Sequence, residues 1–213
     1  ASALALHRAG HEVWLYTSHH DQSHSFAALR APDGELSARV RVLGDWLPRS
    51  LFGRAVALCS VVRMLYIALA LCCVFARVAD VIFCDGVSAP VPLLRLRAPV
   101  LFYCHFPDKL LVTRARSALT RAYRLPLDWL EEATTGCADV IAVNSHFTAR
   151  IFRESFARVG ARRAVEVLYP AINFSAFAGV SGASGGGGGG RRRIVSLNRF
   201  ERKKNVALAI EAL

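Results

Sequence analysis

At 213 residues, 54% of them apolar, the chain has the length of one large domain or of one domain plus part of another, and its composition excludes a wholly disordered or collagen-like polypeptide. The net charge of +11 rests on 24 Arg and only 3 Lys in an Ala-rich sequence, so it is read partly as coding-sequence composition; it favours an anionic surface, and no nucleic-acid partner is inferred from it. Six Cys, at 59, 72, 73, 84, 104 and 137, form no Cys-x-x-Cys pair and several lie in apolar runs, which points to free thiols in a reducing compartment.

In chain order, Ser2–Ala9 has a helical pattern closed by Gly10, with neither an initiator Met nor a signal peptide, so the chain is expected to lack its N-terminus. A strand is predicted over Glu12–Thr17, followed by His19, His20, Asp21 and His24. His and carboxylate are ordinary zinc ligands, but the spacing is not that of a zinc site; metal binding, substrate contact and a solvated loop all remain open readings. A second strand is predicted over Arg39–Leu43.

Ala55–Ala76 is the most apolar stretch, 22 residues with Arg63 as its only charge. As a helix it would be roughly 33 Å long, enough to cross a bilayer. Arg63 argues against a free-standing span, because a mid-membrane Arg costs about 2.5–3.5 kcal/mol on insertion scales. The expected arrangement is a helix lying in one leaflet, with Arg49, Arg54 and Arg77 at headgroup level; a core crossover helix and a true span are the alternatives. Strands predicted before and after it, Arg39–Leu43 and Asp80–Cys84, are expected to share one sheet.

Further strands are predicted at Val100–Cys104, Asp139–Val143 and Val165–Tyr169, and helices at Leu119–Thr135 and Phe147–Ala157. This alternation is that of an α/β domain with a parallel sheet and crossover helices. Ligands of such a sheet bind beyond the carboxyl ends of its strands, which directs attention to 17–24, 85–88, 105–108 and 144–146. His105 follows an apolar strand, with Pro107 fixing the turn; it could donate to a sugar hydroxyl or a phosphate, and Asp108 could accept. A His bonded to loop carbonyls is the plainer alternative. Asn144 and Ser145 precede a helix and serve equally well as its cap or as ligand groups.

Residues 173–190 are predicted to be a linker, with six consecutive Gly, and the Asn173-Phe-Ser175 glycosylation pattern inside it is taken as chance. From 191 a second α/β domain is expected to begin, and the chain to stop within a helix at Leu213. Arg199 and Lys204 lie in a strand-to-helix loop, where they could converge on a diphosphate or form a solvated basic turn.

Five segments then carry a resemblance: Phe102-Tyr-Cys-His-Phe-Pro-Asp108, Leu127-Asp-Trp-Leu-Glu-Glu-Ala-Thr-Thr-Gly136, Val143-Asn-Ser-His-Phe-Thr148, Leu168-Tyr-Pro170 and Asn198-Arg-Phe-Glu-Arg-Lys-Lys-Asn205. In this order they closely resemble the alpha-1,3/1,6-mannosyltransferases of the dolichol-linked oligosaccharide pathway, members of the family-four glycosyltransferases. The resemblance implies a GT-B arrangement of two Rossmann-like domains, with residues 1–172 the acceptor-side domain lacking its first strand, and 191–213 the start of the donor domain. It implies transfer of mannose from GDP-mannose to a mannosylated chitobiosyl diphosphodolichol, first α1,3 and then α1,6, with retention, no metal or cofactor in the site, and a position on the cytosolic face of the endoplasmic reticulum membrane. Other glycosyltransferases of the pathway are possible partners. His105 matches the catalytic His, Arg199 and Lys204 the donor-diphosphate pair, and His19, Asp21 and His24 an acceptor-side loop. The 213 residues alone are expected to be inactive. The competing readings are a catalytically inactive, membrane-associated scaffold and another family-four transferase.

Overall fold

The structure is a computed structural model that describes residues 2–30, 32–74, 79–111, 118–170 and 205–211. The chain divides into two compact units, Ala1–Ile172 and Asn173–Leu213. Of the second, the described part is a helix, Val206–Glu211; Arg199 and Lys204 lie outside the described residues.

The first unit opens with α1 (Ser2–Arg8), whose end is turned by Gly10 in a left-handed conformation. Next come β1 (Leu15–Thr17), β2 (Val40–Val42), α2 (Val56–Cys73), β3 (Ile82–Asp85), α3 (Val91–Leu94) and β4 (Val100–Cys104). They are followed by α4 (Asp108–Leu111), α5 (Ala118–Thr135), β5 (Val140–Val143), α6 (His146–Ser155), α7 (Ala157–Gly160) and β6 (Val165–Val167). Among the described residues every strand pairing is parallel, an α-helix lies between successive strands from β2 to β6, and all six predicted strands are present, Val100–Cys104 with the predicted bounds, the third shifted to end at Asp85, and the others shorter.

The expectation of one sheet is corrected. Among the described residues β1 pairs only with β2, while β3, β4, β5 and β6 form a separate four-stranded sheet in sequence order. The two sheets still share one core, because Tyr16 and Leu43 pack on the same apolar cluster as Ile82, Phe102 and Ile141.

β4 and β5 are the most deeply covered strands, and their near-continuous apolar runs, Val100-Leu-Phe-Tyr-Cys104 and Val140-Ile-Ala-Val143, suit a sheet covered by helices on both faces. Among the described residues, α2 packs one stripe, Cys59, Arg63, Ile67 and Leu71, toward the protein, at the i, i+4 spacing of a single helix face. It is a crossover helix between β2 and β3, and both of its ends belong to the same unit. Arg63 is only 4% exposed; its guanidinium donates to the carbonyl of Ser18 and sits 3.3 Å from Asp45 Oδ1. That pairing gives the buried charge a carbonyl acceptor and a counterion through Nη2, while its Nε has no hydrogen-bond partner among the described residues.

Candidate active site

Because the strands are parallel, their carboxyl ends collect at one edge, and there the loops after β3, β4, β5 and β6 are tied to one another. Asp85 ends β3, and Gly86 turns the chain immediately afterwards at φ +78°, a conformation that disfavours a side chain, with its N–H donating to the Tyr103 carbonyl. His105 lies one residue beyond β4. Its Nε2 is 2.9 Å from Asp85 Oδ1, and its ring meets Tyr103 edge-on with centroids 4.9 Å apart. The Tyr103 hydroxyl donates to the Leu168 carbonyl beyond β6 at 2.9 Å. The His105 imidazole is 57% exposed, so it is held on one side and open on the other.

Asn144 connects β5 to the same loop, its Nδ2 donating to the His105 carbonyl at 2.9 Å. Its Oδ1 accepts from Ser145 Oγ at 3.1 Å and from Thr148 Oγ1 at 2.5 Å. Ser145 is the N-cap of α6, accepting from Thr148 N at 3.1 Å. The amide of Asn144 is thus used at both ends and Ser145 is used as a cap, which makes these two residues braces for the His105 loop.

Asp108 turns toward α5. Its carboxylate meets the Arg124 guanidinium at 2.9 Å, and Arg124 also reaches Asp128 at 2.7 Å. The backbone N–H groups of Asp108 and Lys109 donate to the Glu131 carboxylate at 2.7 and 3.2 Å. Burial pushes the Glu131 carboxyl up to about 6, against the two N–H bonds and Arg124, which favour its charged form. Burial also pushes the thiols of Cys84 and Cys104 up to about 12, so both behave as apolar side chains. All six Cys are free.

The β1 edge carries a separate group. His19 Nδ1 meets Asp45 Oδ1 at 2.9 Å, and Asp45 in turn meets Arg63. Asp21 accepts from Ser23 Oγ at 2.6 Å and pairs with His24 at 2.8 Å; these hydrogen bonds, Ser23 first, hold its carboxyl far below the usual range. His19, Asp21 and His24 are therefore spread over two contacts, neither of which touches His105.

Of the residues singled out from sequence, the structure joins His105, Asn144 and Ser145. It also places three that sequence reasoning did not select. Asp85 sits in the flagged 85–88 segment as the polar residue that closes an apolar strand. Glu131 lay inside a segment quoted for the family resemblance but was given no role there, and Arg124 was legible as a polar position seven residues before it on one face of α5, a spacing that also admits a solvated face.

Residues 2–176 match the model of Glycosyltransferase Family 4. The chain belongs to this family. Its family-four character extends to close relatives: it is 45% identical to the alpha-1,3/1,6-mannosyltransferase ALG2 of Rhizomucor pusillus, over 99% of this chain and 46% of that protein. Identity to the protein of the same name in Homo sapiens is 46%, over 100% of this chain and 51% of the relative, and in Dictyostelium discoideum 38%, over 99% and 52%. The chain thus spans about half the length of the curated relatives it matches. The family match and the parallel sheets flanked by helices agree on a Rossmann-like α/β unit of the GT-B type.

Proposed function

We propose that the protein is a mannosyltransferase that moves mannose from GDP-mannose to a mannosylated chitobiosyl diphosphodolichol, forming an α1,3 and then an α1,6 linkage with retention and without a metal. The observation that carries this reading is the 45–46% identity, along essentially the whole chain, to relatives named as alpha-1,3/1,6-mannosyltransferases. The site supports it. His105 offers an exposed imidazole edge at the carboxyl end of a central strand, where a donor to the transferring sugar acts most as charge develops in the transition state. Arg199 and Lys204 are assigned to the donor diphosphate, and His19, Asp21 and His24 to the acceptor side.

The same proposal places the protein on the cytosolic face of the endoplasmic reticulum, where other transferases of the pathway would be its neighbours. α2 is long and apolar enough to cross a membrane by length and composition. Its buried stripe lies against the protein core, and its opposite face exposes Leu58, Val62 and Leu69, which suits a helix resting in one leaflet. Trp46 and Phe52 stand exposed on the preceding segment, with Arg49 and Arg54 beside them for anionic headgroups.

The test is mannosyl transfer from GDP-mannose to a phytanyl-linked Man1 acceptor by the full-length protein, with linkages assigned on the product. Sequential α1,3 and α1,6 addition is expected. Transfer from another sugar nucleotide would move the protein to a different family-four activity, and acceptor binding without turnover would make it a membrane-associated scaffold.

A further inference from the structure

The turn that carries His105 is fastened from beneath by groups that make no contact with the exposed face of the imidazole. The first N–H groups of α4, as at any helix N-terminus, have no acceptor within the helix. The Glu131 carboxylate takes two of them, those of Asp108 and Lys109. Arg124, itself only 7% exposed, fixes the Asp108 side chain, and Ser88 Oγ donates to the Glu131 carbonyl at 3.0 Å, tying the segment after β3 to the same point of α5. On the far side Lys109 Nζ donates to the Ser155 carbonyl at the end of α6 and lies 4.5 Å from the Phe156 ring centroid. Pro107 is fully buried between these anchors.

We propose that Glu131 is a positioning residue: its carboxylate clamps the Asp108 and Lys109 amides and thereby sets where His105 stands against the transferring sugar. The effect on turnover rests on the mannosyltransferase reading; the clamp itself does not. Charge-assisted acceptance of two N–H groups is stronger than neutral hydrogen bonding and directional, so it fixes the turn more closely than apolar packing alone. The groups facing the carboxylate are Asp108 and Lys109 from the turn, Arg124 from its own helix and Cys104 from β4. Holding a partly buried carboxylate there is costly to the fold, since burial disfavours its charged form. A site that keeps such a group for geometry is expected to give up stability for it.

The experiment compares the full-length wild type with Glu131→Gln and Glu131→Ala by steady-state kinetics, melting temperature and amide hydrogen exchange of the 105–111 segment. Gln keeps the shape but turns one acceptor into a donor. Expected are faster exchange in that segment for both variants and a turnover lower by about tenfold to a hundredfold, the usual cost of a misplaced catalytic group, with KM for GDP-mannose little changed. Glu131→Gln should melt no lower than wild type, which separates positioning from a merely structural role. If Glu131→Ala does not fold, Glu131→Gln decides alone. Unchanged exchange in Glu131→Gln, or unchanged turnover, would overturn the proposal. A wild type that transfers no mannose would reject the functional reading instead, while the exchange comparison would still judge the clamp.

Discussion

The two histidine-bearing edges of the first unit are built on different plans. At the β4 edge, His105 is tied through Asp85, Asn144 and the Tyr103–Leu168 bond to three other strands, with Glu131 and Arg124 below. At the β1 edge, among the described residues, the side chains of Asp21, Ser23 and His24 bond only among themselves, within four residues of chain, and of the group only His19 reaches a distant partner, Asp45. The carboxylates behave oppositely: burial raises Glu131, whereas hydrogen bonds from Ser23 and His24 lower Asp21. Long-range fastening fixes a group to a fraction of an ångström, as chemistry requires; a locally bonded loop can adapt to a bulky sugar acceptor.

The largest expected effect breaks the first plan at its centre. His105→Ala should lower turnover by about a hundredfold to a thousandfold, the usual loss when one donor to a developing charge is removed, with a smaller change in acceptor KM. Steady-state kinetics on the full-length enzyme check it. A raised KM with unchanged turnover would make His105 a binding residue and erase the contrast between the edges.

Next in size is the pH dependence of stability that Glu131 imposes. Its carboxyl goes from an ordinary 4.5 to about 6 on folding, so between these values the native state binds more protons than the unfolded state. Unfolding free energy therefore falls as pH rises through this window, by about 2 kcal/mol in all, and above it the cost is fully present. In Glu131→Gln that contribution should vanish. Chemical denaturation at pH 4.5 and 7.5 measures the difference between the two proteins; the same pH slope in both would mean that the carboxylate is not held as described.

Much of this arrangement was legible in the sequence, and the omissions have physical causes. The strands at 100–104 and 140–143 read as continuous apolar runs because both faces are covered, and their carboxyl ends pointed to His105 and Asn144. β1 begins at Leu15 rather than Glu12 because only three residues find a partner in β2. The division into two sheets was hidden, since periodicity reports which residues are buried and not which strand lies beside which. Asp108 looked like a ligand group at a strand end; its partner Arg124 lies on a helix 16 residues further on, and nothing local announces that contact.

Asp85→Asn should have a moderate effect. The amide can keep a hydrogen bond to the ring but loses the charge, and a neutral partner holds His105 less firmly in one tautomer. Turnover is expected to fall about tenfold, the lower end of the range for residues that orient a functional imidazole. Nitrogen chemical shifts of labelled histidine provide an activity-independent check, because a loosened tautomer should move them. Identical shifts in wild type and variant would remove Asp85 from the orienting role.

The smallest effect belongs to the β1 edge, and it sharpens the comparison most. Asp21→Ala removes the group on which Ser23 and His24 converge, yet both partners are solvent-accessible and can bond to water instead. The folded state should hardly notice: the melting temperature near neutral pH is expected to stay where it is. If this loop serves the acceptor, its loss should be felt equally in the bound ground state and the transition state, so KM for the lipid-linked acceptor rises while turnover at saturation changes by no more than about twofold. Kinetics with the acceptor varied at saturating GDP-mannose measure both constants in one series. A collapse of turnover comparable to that of His105→Ala would mean that the locally bonded loop takes part in the chemistry, and that long-range fastening does not distinguish the catalytic edge from the binding edge.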